Sequence, residues 1–149
     1  MYKSTGLTAD KPFLIQSKMS GKRVLYYSKN IGNGQYEMAI RKPLYDEREI
    51  YYYDAKTGHI RNFKHKNWVI SVQKGNNNQR GARLVLRTEE WSQDQAFRYL
   101  HGQHHNWSPL SNFNLAWDVS GGNDNDGAFV HLWSFHNGLN QMFEVNYET

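Results

Sequence analysis

The hydrophobic positions of this chain recur in short runs and do not follow the spacing of an amphipathic helix. Apolar runs rich in β-branched and aromatic residues lie at positions 13–15, 24–27, 50–53, 68–70, 83–86 and 129–133. Clusters of Gly and Asn, such as Gly32-Asn33-Gly34 and residues 74–78, separate these runs. Short strands with turn signals at nearly even spacing are typical of an all-β sandwich or barrel.

A repeat of about 46 residues favours one all-β architecture over the others. The triplets Gln95-Ala96-Phe97 and Gln141-Met142-Phe143 share the form Gln-x-Phe and lie 46 positions apart. Glu49-Ile50-Tyr51, a degenerate copy, stands 46 positions before the first of them. A β-sandwich is not built from three equivalent units. A threefold repeat is expected when three four-stranded units close around a pseudo-threefold axis, because each unit alone leaves its apolar face uncovered. The repeat therefore predicts a β-trefoil.

Length and composition agree with a single domain. The chain has 149 residues, and typical domains have roughly 100–150. It contains no Cys, which excludes a disulfide framework, a Cys-based zinc site and a thiol nucleophile. Its 15% of aromatic residues argues against disorder. We expect one β-trefoil domain over residues 1–149, with repeats at approximately 10–56, 57–102 and 103–149 and a core rich in aromatic rings.

The triplets also carry a family resemblance. They resemble the Gln-x-Trp repeat of the ricin B-type (R-type) lectins, which bind carbohydrate. Residues 116–122, 127–133 and 140–143 together are similar to a complete family repeat, and residues 57–62 resemble the turn and strand that open one. The resemblance covers nearly the whole chain and is strongest in the third repeat. It implies a carbohydrate-binding lectin that recognises galactose- or N-acetylgalactosamine-containing glycans.

The third repeat contains the side chains that a monosaccharide site needs. One face of a pyranose presents C–H groups that pack on an aromatic ring, while its hydroxyls need hydrogen-bond donors and acceptors. Asp118, Asn140 and Trp133 supply a carboxylate, an amide and an indole. The resemblance implies that Asp118 accepts hydrogen bonds from the 3- and 4-hydroxyls, that Asn140 bonds the 3-hydroxyl and that Trp133 stacks under the sugar. It also implies that Gln141 orients the Asp118 carboxylate from behind.

Three further residues complete the predicted site. His131 stands where family members often carry a Gln near the 6-hydroxyl, so the outer edge of the site departs from the family pattern. The backbone at Gly121 and Gly122 could approach the sugar closely because these residues have no Cβ.

The other two repeats lack this combination. The counterparts of Asp118, Trp133 and Asn140 are Ser71, Arg87 and Asp94 in the second repeat and Tyr26, Arg41 and Arg48 in the first. Neither repeat keeps both the carboxylate and the stacking ring. We therefore predict one working site per chain, so that agglutination would require several copies, and the sequence leaves a homodimer open.

Structural roles are the alternatives for several of these residues. Trp133 could be a core residue, since large aromatic side chains are highly buried on average. Gln95 and Gln141 could tie the backbone of a turn together in each repeat, and Tyr51, Phe97 and Phe143 are expected in the core.

Catalysis is the first alternative function. The histidines of residues 101–105 could hold a metal, but no carboxylate stands at ligand spacing, so a solvated loop is favoured. Asp124 and Asp126 suggest a calcium loop, yet the closing Glu of an EF-hand is missing and an exposed turn is favoured. A glycosidase would need two juxtaposed carboxylates, and Asp118 has no evident second. The sequence predicts a non-enzyme without metal or cofactor.

Binding of an acidic polysaccharide or a protein is the second alternative. The arginines of the two divergent repeats include Arg41, Arg48, Arg83 and Arg87, and the net charge is +4. The basic residues are scattered rather than arranged in a stripe, which argues against nucleic acid as a partner. A trefoil protease inhibitor, acting through one exposed loop, also stays open.

The sequence also bears on membrane insertion and on the cellular compartment. No segment approaches the ~20 apolar residues of a membrane span, and the first residues lack the apolar region of a secretory signal. We expect a cytoplasmic protein, or one released by a non-classical route.

Overall fold

A computed structural model describes residues 6–100 and 105–147. Its described part has twelve β-strands: β1 Leu14–Ser17, β2 Val24–Asn30, β3 Tyr36–Arg41, β4 Tyr51–Asp54, β5 His59–Asn62, β6 Trp68–Val72, β7 Leu84–Thr88, β8 Phe97–Leu100, β9 Asn106–Pro109, β10 Leu115–Val119, β11 Ala128–Ser134 and β12 Phe143–Asn146. Three 3₁₀ turns lie at Gln93–Gln95, Ser120–Gly122 and Leu139–Gln141. No helix of the described residues is long and apolar enough to cross a membrane.

The pairing of the strands repeats three times. Strands β2 and β3, β6 and β7, and β10 and β11 form antiparallel hairpins. Strands β4 and β5, β8 and β9, and β12 and β1 pair in the same way. The last of these pairs closes the ring, with Leu14 opposite Asn146 and Ser17 opposite Phe143. Strand β3 also pairs with β7 and with β11, which brings the three hairpins together. This is the predicted β-trefoil.

Aromatic rings from all three repeats meet in the core. Tyr51, Phe97 and Phe143 are buried, as predicted from their equivalent positions. Trp107 and Trp117 stack with ring centroids 4.5 Å apart and an interplanar angle of 3°. Because successive side chains of a strand point to opposite faces, the burial of Trp117 in the core directs the next residue of β10, Asp118, away from it.

Two buried glutamines play the same structural role in the second and third repeats. Gln95 accepts a hydrogen bond from the Glu90 N–H (2.7 Å) and donates to the Thr88 carbonyl (3.0 Å). Its Nε2 also donates to Ser71 Oγ (3.1 Å). Gln141 makes the equivalent set of bonds 46 positions later. Each Gln therefore closes the loop that follows its hairpin.

Glu49 fills the equivalent position in the first repeat with different chemistry. Its carboxylate accepts from the backbone N–H groups of Leu44 and Tyr45, as the amide oxygen of Gln does elsewhere. A carboxylate cannot donate, so its second oxygen is met by a donor, the Arg41 Nε, at 2.9 Å. This explains why the degenerate triplet keeps the repeat intact.

Candidate functional site

A surface cavity of about 460 Å³ opens in the third repeat. Its lining combines a carboxylate, a hydroxyl, two imidazoles, an indole, an amide and two glycines: Asp118, Ser120, Gly121, Gly122, His131, Trp133, His136 and Asn140. Six of the seven predicted site residues are in this lining. The seventh, Gln141, is fully buried behind it.

Asp118 is the buried anion of the cavity. It is 2% exposed, and hydrogen bonds hold both of its carboxylate oxygens. Gln141 Nε2 donates to Oδ2 at 2.8 Å, and His131 Nε2 lies 3.0 Å from Oδ1. His136 Nε2 lies 3.5 Å from Oδ2. An ionised carboxylate has about four acceptor positions, so the group keeps acceptor capacity toward the cavity.

Trp133 lies on the surface and not in the core. Along β11 the inward positions are Ala128, Val130 and Leu132, and the alternate positions carry His131 and Trp133 outward. Trp133 is 40% exposed. Its ring stacks on His131 with centroids 5.2 Å apart and an interplanar angle of 10°.

The hairpin register brings the outward residues to Asp118. Asp118 on β10 is directly opposite His131 on β11, and Ala116 is opposite Trp133. Directly opposite residues have Cβ atoms about 4.5–5.5 Å apart. The imidazole of His131 therefore lies between the carboxylate and the indole, which the sequence did not predict.

Asn140 is fixed at the other side of the cavity. Its Nδ2 donates to the Val119 carbonyl at 3.0 Å, and the second N–H of that amide is left for a further acceptor. Gly121 and Gly122 have φ of 65° each, a left-handed conformation that glycine adopts without steric cost. No atom lies within 4 Å of a Cβ built at either position, so the backbone conformation and not crowding requires glycine here.

His136 and Ser120 line the cavity but were missed by sequence analysis. The His136 N–H donates to Gln141 Oε1 at 2.9 Å, and His136 Nδ1 accepts from the Gly138 N–H at 3.0 Å. These two bonds direct Nε2 toward Asp118. The only signal in the sequence is the position of His136, five residues before Gln141, where the second repeat has Glu90.

An arginine fills the corresponding position in the second repeat. Arg87, the counterpart of Trp133, is 4% exposed. Its guanidinium pairs with Glu90 (2.9 Å) and Asp94 (2.7 Å), and its Nε donates to the Val72 carbonyl (3.3 Å).

The first repeat is filled in a similar way. Arg41 pairs with Asp46 (2.7 Å) and Glu49 (2.9 Å), and its guanidinium carbon lies 4.4 Å from the Tyr26 ring centroid. Arg41 and Arg87 thus stand at the position of the stacking ring, and each is held there by internal ion pairs.

The other two arginines considered for an acidic partner also have internal partners. Arg48 donates to the carbonyls of Tyr27 and Ser28, both at 2.9 Å. Arg83 pairs with Glu37.

The two candidate metal sites differ in how far the structure describes them. Asp124 and Asp126 pair with Arg23, at 3.1 and 2.7 Å, and also accept hydrogen bonds from backbone N–H groups. In the histidine cluster, His101 and His104 lie outside the described residues, and His105 Nδ1 is 3.2 Å from the Tyr99 hydroxyl. Within residues 6–100 and 105–147, no group of three or more His, Asp and Glu side chains is arranged to hold a metal ion.

Comparisons with known proteins support the fold. No family model matches the chain, and no curated protein sequence matches it either. Several solved structures are similar over nearly the whole chain. ThreeFoil, a designed threefold-symmetric protein, has a TM-score of 0.78 and 17% identity, and the match covers 92% of this chain and 99% of that one.

Two lectins are among the similar structures. The C-half of the earthworm R-type lectin, in complex with GalNAc, has a TM-score of 0.70 and 18% identity over 91% of this chain and 98% of its own. The Macrolepiota procera ricin B-like lectin, in complex with lactose, has a TM-score of 0.76 and 15% identity over 95% and 99%. The chain therefore has the β-trefoil fold that ricin B-type lectins share.

Proposed function

We propose that the protein is a lectin that binds a terminal galactose or N-acetylgalactosamine residue in the third-repeat cavity. The observation that carries this proposal is the Asp118 carboxylate, held by Gln141 within a cavity that also exposes the Trp133 ring. The similar lectin structures that contain GalNAc and lactose support the same class of ligand.

The chemistry of the cavity suits a neutral sugar. The carboxylate of Asp118 accepts hydrogen bonds from two neighbouring hydroxyls, and the Asn140 amide donates to one of them. Hydrogen bonds to an ionised acceptor are about twice as strong as neutral ones. The exposed surface of Trp133 takes the C–H face of the ring, and His131 and His136 add polar contacts at the edge.

Binding without reaction is the activity that the cavity supports. Glycoside hydrolysis normally uses two carboxyl groups about 5–9.5 Å apart. Asp118 supplies the one carboxylate among the described residues that line this cavity. A shallow site for one sugar typically has a Kd near 1 mM, about −4 kcal/mol, so strong attachment to a cell surface would require several copies on one particle.

The test is an NMR titration of the ¹⁵N-labelled protein with galactose and N-acetylgalactosamine. Saturable shifts of the Trp133 indole N–H are expected in the wild type, with loss of binding in Asp118→Asn. Ser71→Ala is the matched control, because Ser71 is the counterpart of Asp118 in the second repeat and its hydroxyl is also bonded by a buried Gln. Shifts of equal size in Asp118→Asn, or no response to either sugar in the wild type, would disprove the proposal.

Salt separates this function from binding of an acidic polysaccharide. Hydrogen bonds to an uncharged sugar and stacking on a ring depend little on ionic strength, whereas contacts between exposed charges are screened. The Kd for galactose should be the same at low and high salt. Strong binding of heparin that disappears at high salt, without any galactose binding, would favour the polyanion alternative.

A further inference from the structure

Residues of the second and third repeats form a second cavity of about 370 Å³. Three segments far apart in sequence form it: residues 77–79 between β6 and β7, residues 92–94 after β7 and residues 111–112 between β9 and β10. We call it the amide cleft, because five of its eight lining side chains are Asn or Gln.

The lining of the amide cleft has a definite chemistry. Besides the amides it has two serine hydroxyls and the carboxylate of Asp94, and no aromatic or cationic side chain. Primary amides and hydroxyls both donate and accept hydrogen bonds. Such a lining suits a polyhydroxylated ligand and offers no countercharge to an anion.

The side chain of Asn78 in the cleft has only one of its two polar atoms bonded. Its Nδ2 donates to Ser111 Oγ, while its Oδ1 is buried and has no partner among the described residues. A buried acceptor without a donor is destabilising. Rotation of the Asn78 amide toward the cleft would expose this oxygen, and a ligand hydroxyl would then donate to it.

Hydrogen bonds and an ion pair hold two parts of the cleft. Asp94 accepts from Ser92 Oγ and pairs with Arg87 at 2.7 Å, so its carboxylate has partners on two sides. Asn112 Oδ1 accepts from the Asn114 N–H at 3.0 Å, which fixes the turn that carries Ser111. Asp94 and the turn at residues 111–112 are therefore held in place before a ligand arrives.

Two adjacent residues, Gln79 and Arg80, link the cleft to the third-repeat site. Gln79 lines the cleft and also a smaller hollow that includes Arg80. The guanidinium carbon of Arg80 lies 5.3 Å from the Trp133 ring centroid, and its Nη1 donates to Ser134 Oγ at 3.4 Å. The path runs from Trp133 over Arg80 to Gln79.

We propose that the amide cleft binds the further sugar residues of an oligosaccharide whose terminal galactose-type residue occupies the third-repeat site. This inference rests on the function proposed above. In this proposal the second and third repeats together determine specificity for an extended glycan. The second repeat then contributes to binding through the cleft, although Arg87 fills its counterpart of the sugar site.

The experiment compares galactose with β-linked galacto-oligosaccharides of two to five residues by calorimetry and NMR. In the wild type the Kd should fall by about tenfold or more between galactose and the longest oligosaccharide. The variant Gln93→Ala, which removes an exposed amide, and Asn78→Ala should each reduce this gain and leave the Kd for galactose unchanged. Asn67→Ala, an exposed amide in the loop before β6, is the control and should change neither.

NMR keeps the test independent of any folding defect in a variant. In the wild type, the side-chain amide signals of Gln93 and Asn112 should shift with the oligosaccharides and not with galactose. Galactose binding without a gain from longer chains would overturn the amide cleft alone. Absence of galactose binding would overturn the proposed function itself, and equal losses for both ligands in Gln93→Ala would also contradict the cleft.

Discussion

Arg87 and Trp133 occupy equivalent positions in the second and third repeats and have opposite surroundings. Arg87 is 4% exposed and paired with Glu90 and Asp94, whereas Trp133 is 40% exposed beside a cavity. One fold position thus serves as an internal ion-pair centre in one repeat and as an exposed ring in another. The difference explains why we expect one sugar site per chain.

Replacing Arg87 should affect stability and not sugar binding. Arg87→Ala removes a buried guanidinium and leaves Asp94 without its cation, while Glu90 keeps Lys74 at 2.9 Å. We expect this change to destabilise the protein by about 2 kcal/mol. Urea unfolding monitored by circular dichroism measures the change. Arg80→Ala, at an exposed position, should change stability by less than about 0.5 kcal/mol. An unchanged unfolding midpoint in Arg87→Ala would show that the ion pairs contribute little.

Gln141 and Gln95 form a matched pair of variants. Each is fully buried and makes three side-chain hydrogen bonds, so Gln→Ala at either position should destabilise the protein by about 2 kcal/mol. Only Gln141→Ala removes a bond to Asp118, and only this variant should weaken galactose binding. NMR titration below the unfolding transition separates the two effects. Equal loss of binding in Gln95→Ala would mean that Gln141 has no positioning role.

The β-trefoil and its register were predictable, because one structural position recurs every 46 residues. Gln95 and Gln141 each close a loop with their amide, and Glu49 does so with help from Arg41. The pattern survives because the backbone donors and acceptors at these turns need a partner in every repeat.

Two features of the site could not be predicted from the sequence. The position of His131 between Asp118 and Trp133 depends on side-chain conformations, and His136 lies in a loop without periodicity. The amide cleft joins segments far apart along the chain, and no local pattern records that they meet.

The two exposed tryptophans provide another matched comparison. Trp91 is 78% exposed and lies against His59, with ring centroids 5.5 Å apart. Neither Trp→Ala change should unfold the protein, since both rings are on the surface. Trp133→Ala should raise the Kd for galactose about tenfold, because the C–H face of the sugar would lose the apolar ring surface on which it is buried. Trp91→Ala should leave this Kd unchanged. A larger increase in Kd for Trp91→Ala than for Trp133→Ala would indicate that the site lies in the second repeat.

Acid should weaken the fold through a cluster around Arg61. Burial by itself would raise the pKa of Glu89, but hydrogen bonds from Arg61 and His59 outweigh it and hold the pKa below its ordinary value. Burial would likewise raise the pKa of Asp54, but hydrogen bonds, foremost the one from Arg61, outweigh burial and lower this pKa. A carboxyl group whose pKa is depressed by folding stabilises the protein above its unfolded pKa and loses that contribution as pH falls through its folded pKa.

The unfolding midpoint in urea should therefore decrease from pH 5 to pH 3, and Glu89→Gln should flatten this decrease. Galactose binding at neutral pH should be the same in both proteins, which checks that the fold is intact. An equally steep decrease in Glu89→Gln would assign the acid sensitivity to other carboxylates.

The most direct measurement is a crystal structure with galactose or N-acetylgalactosamine at saturating concentration. We predict electron density for one sugar in the third-repeat cavity, its C–H face against Trp133. Two of its hydroxyls should lie about 2.5–3.0 Å from the Asp118 carboxylate. Density at another repeat, or an empty cavity at a concentration that saturates binding in solution, would contradict the account.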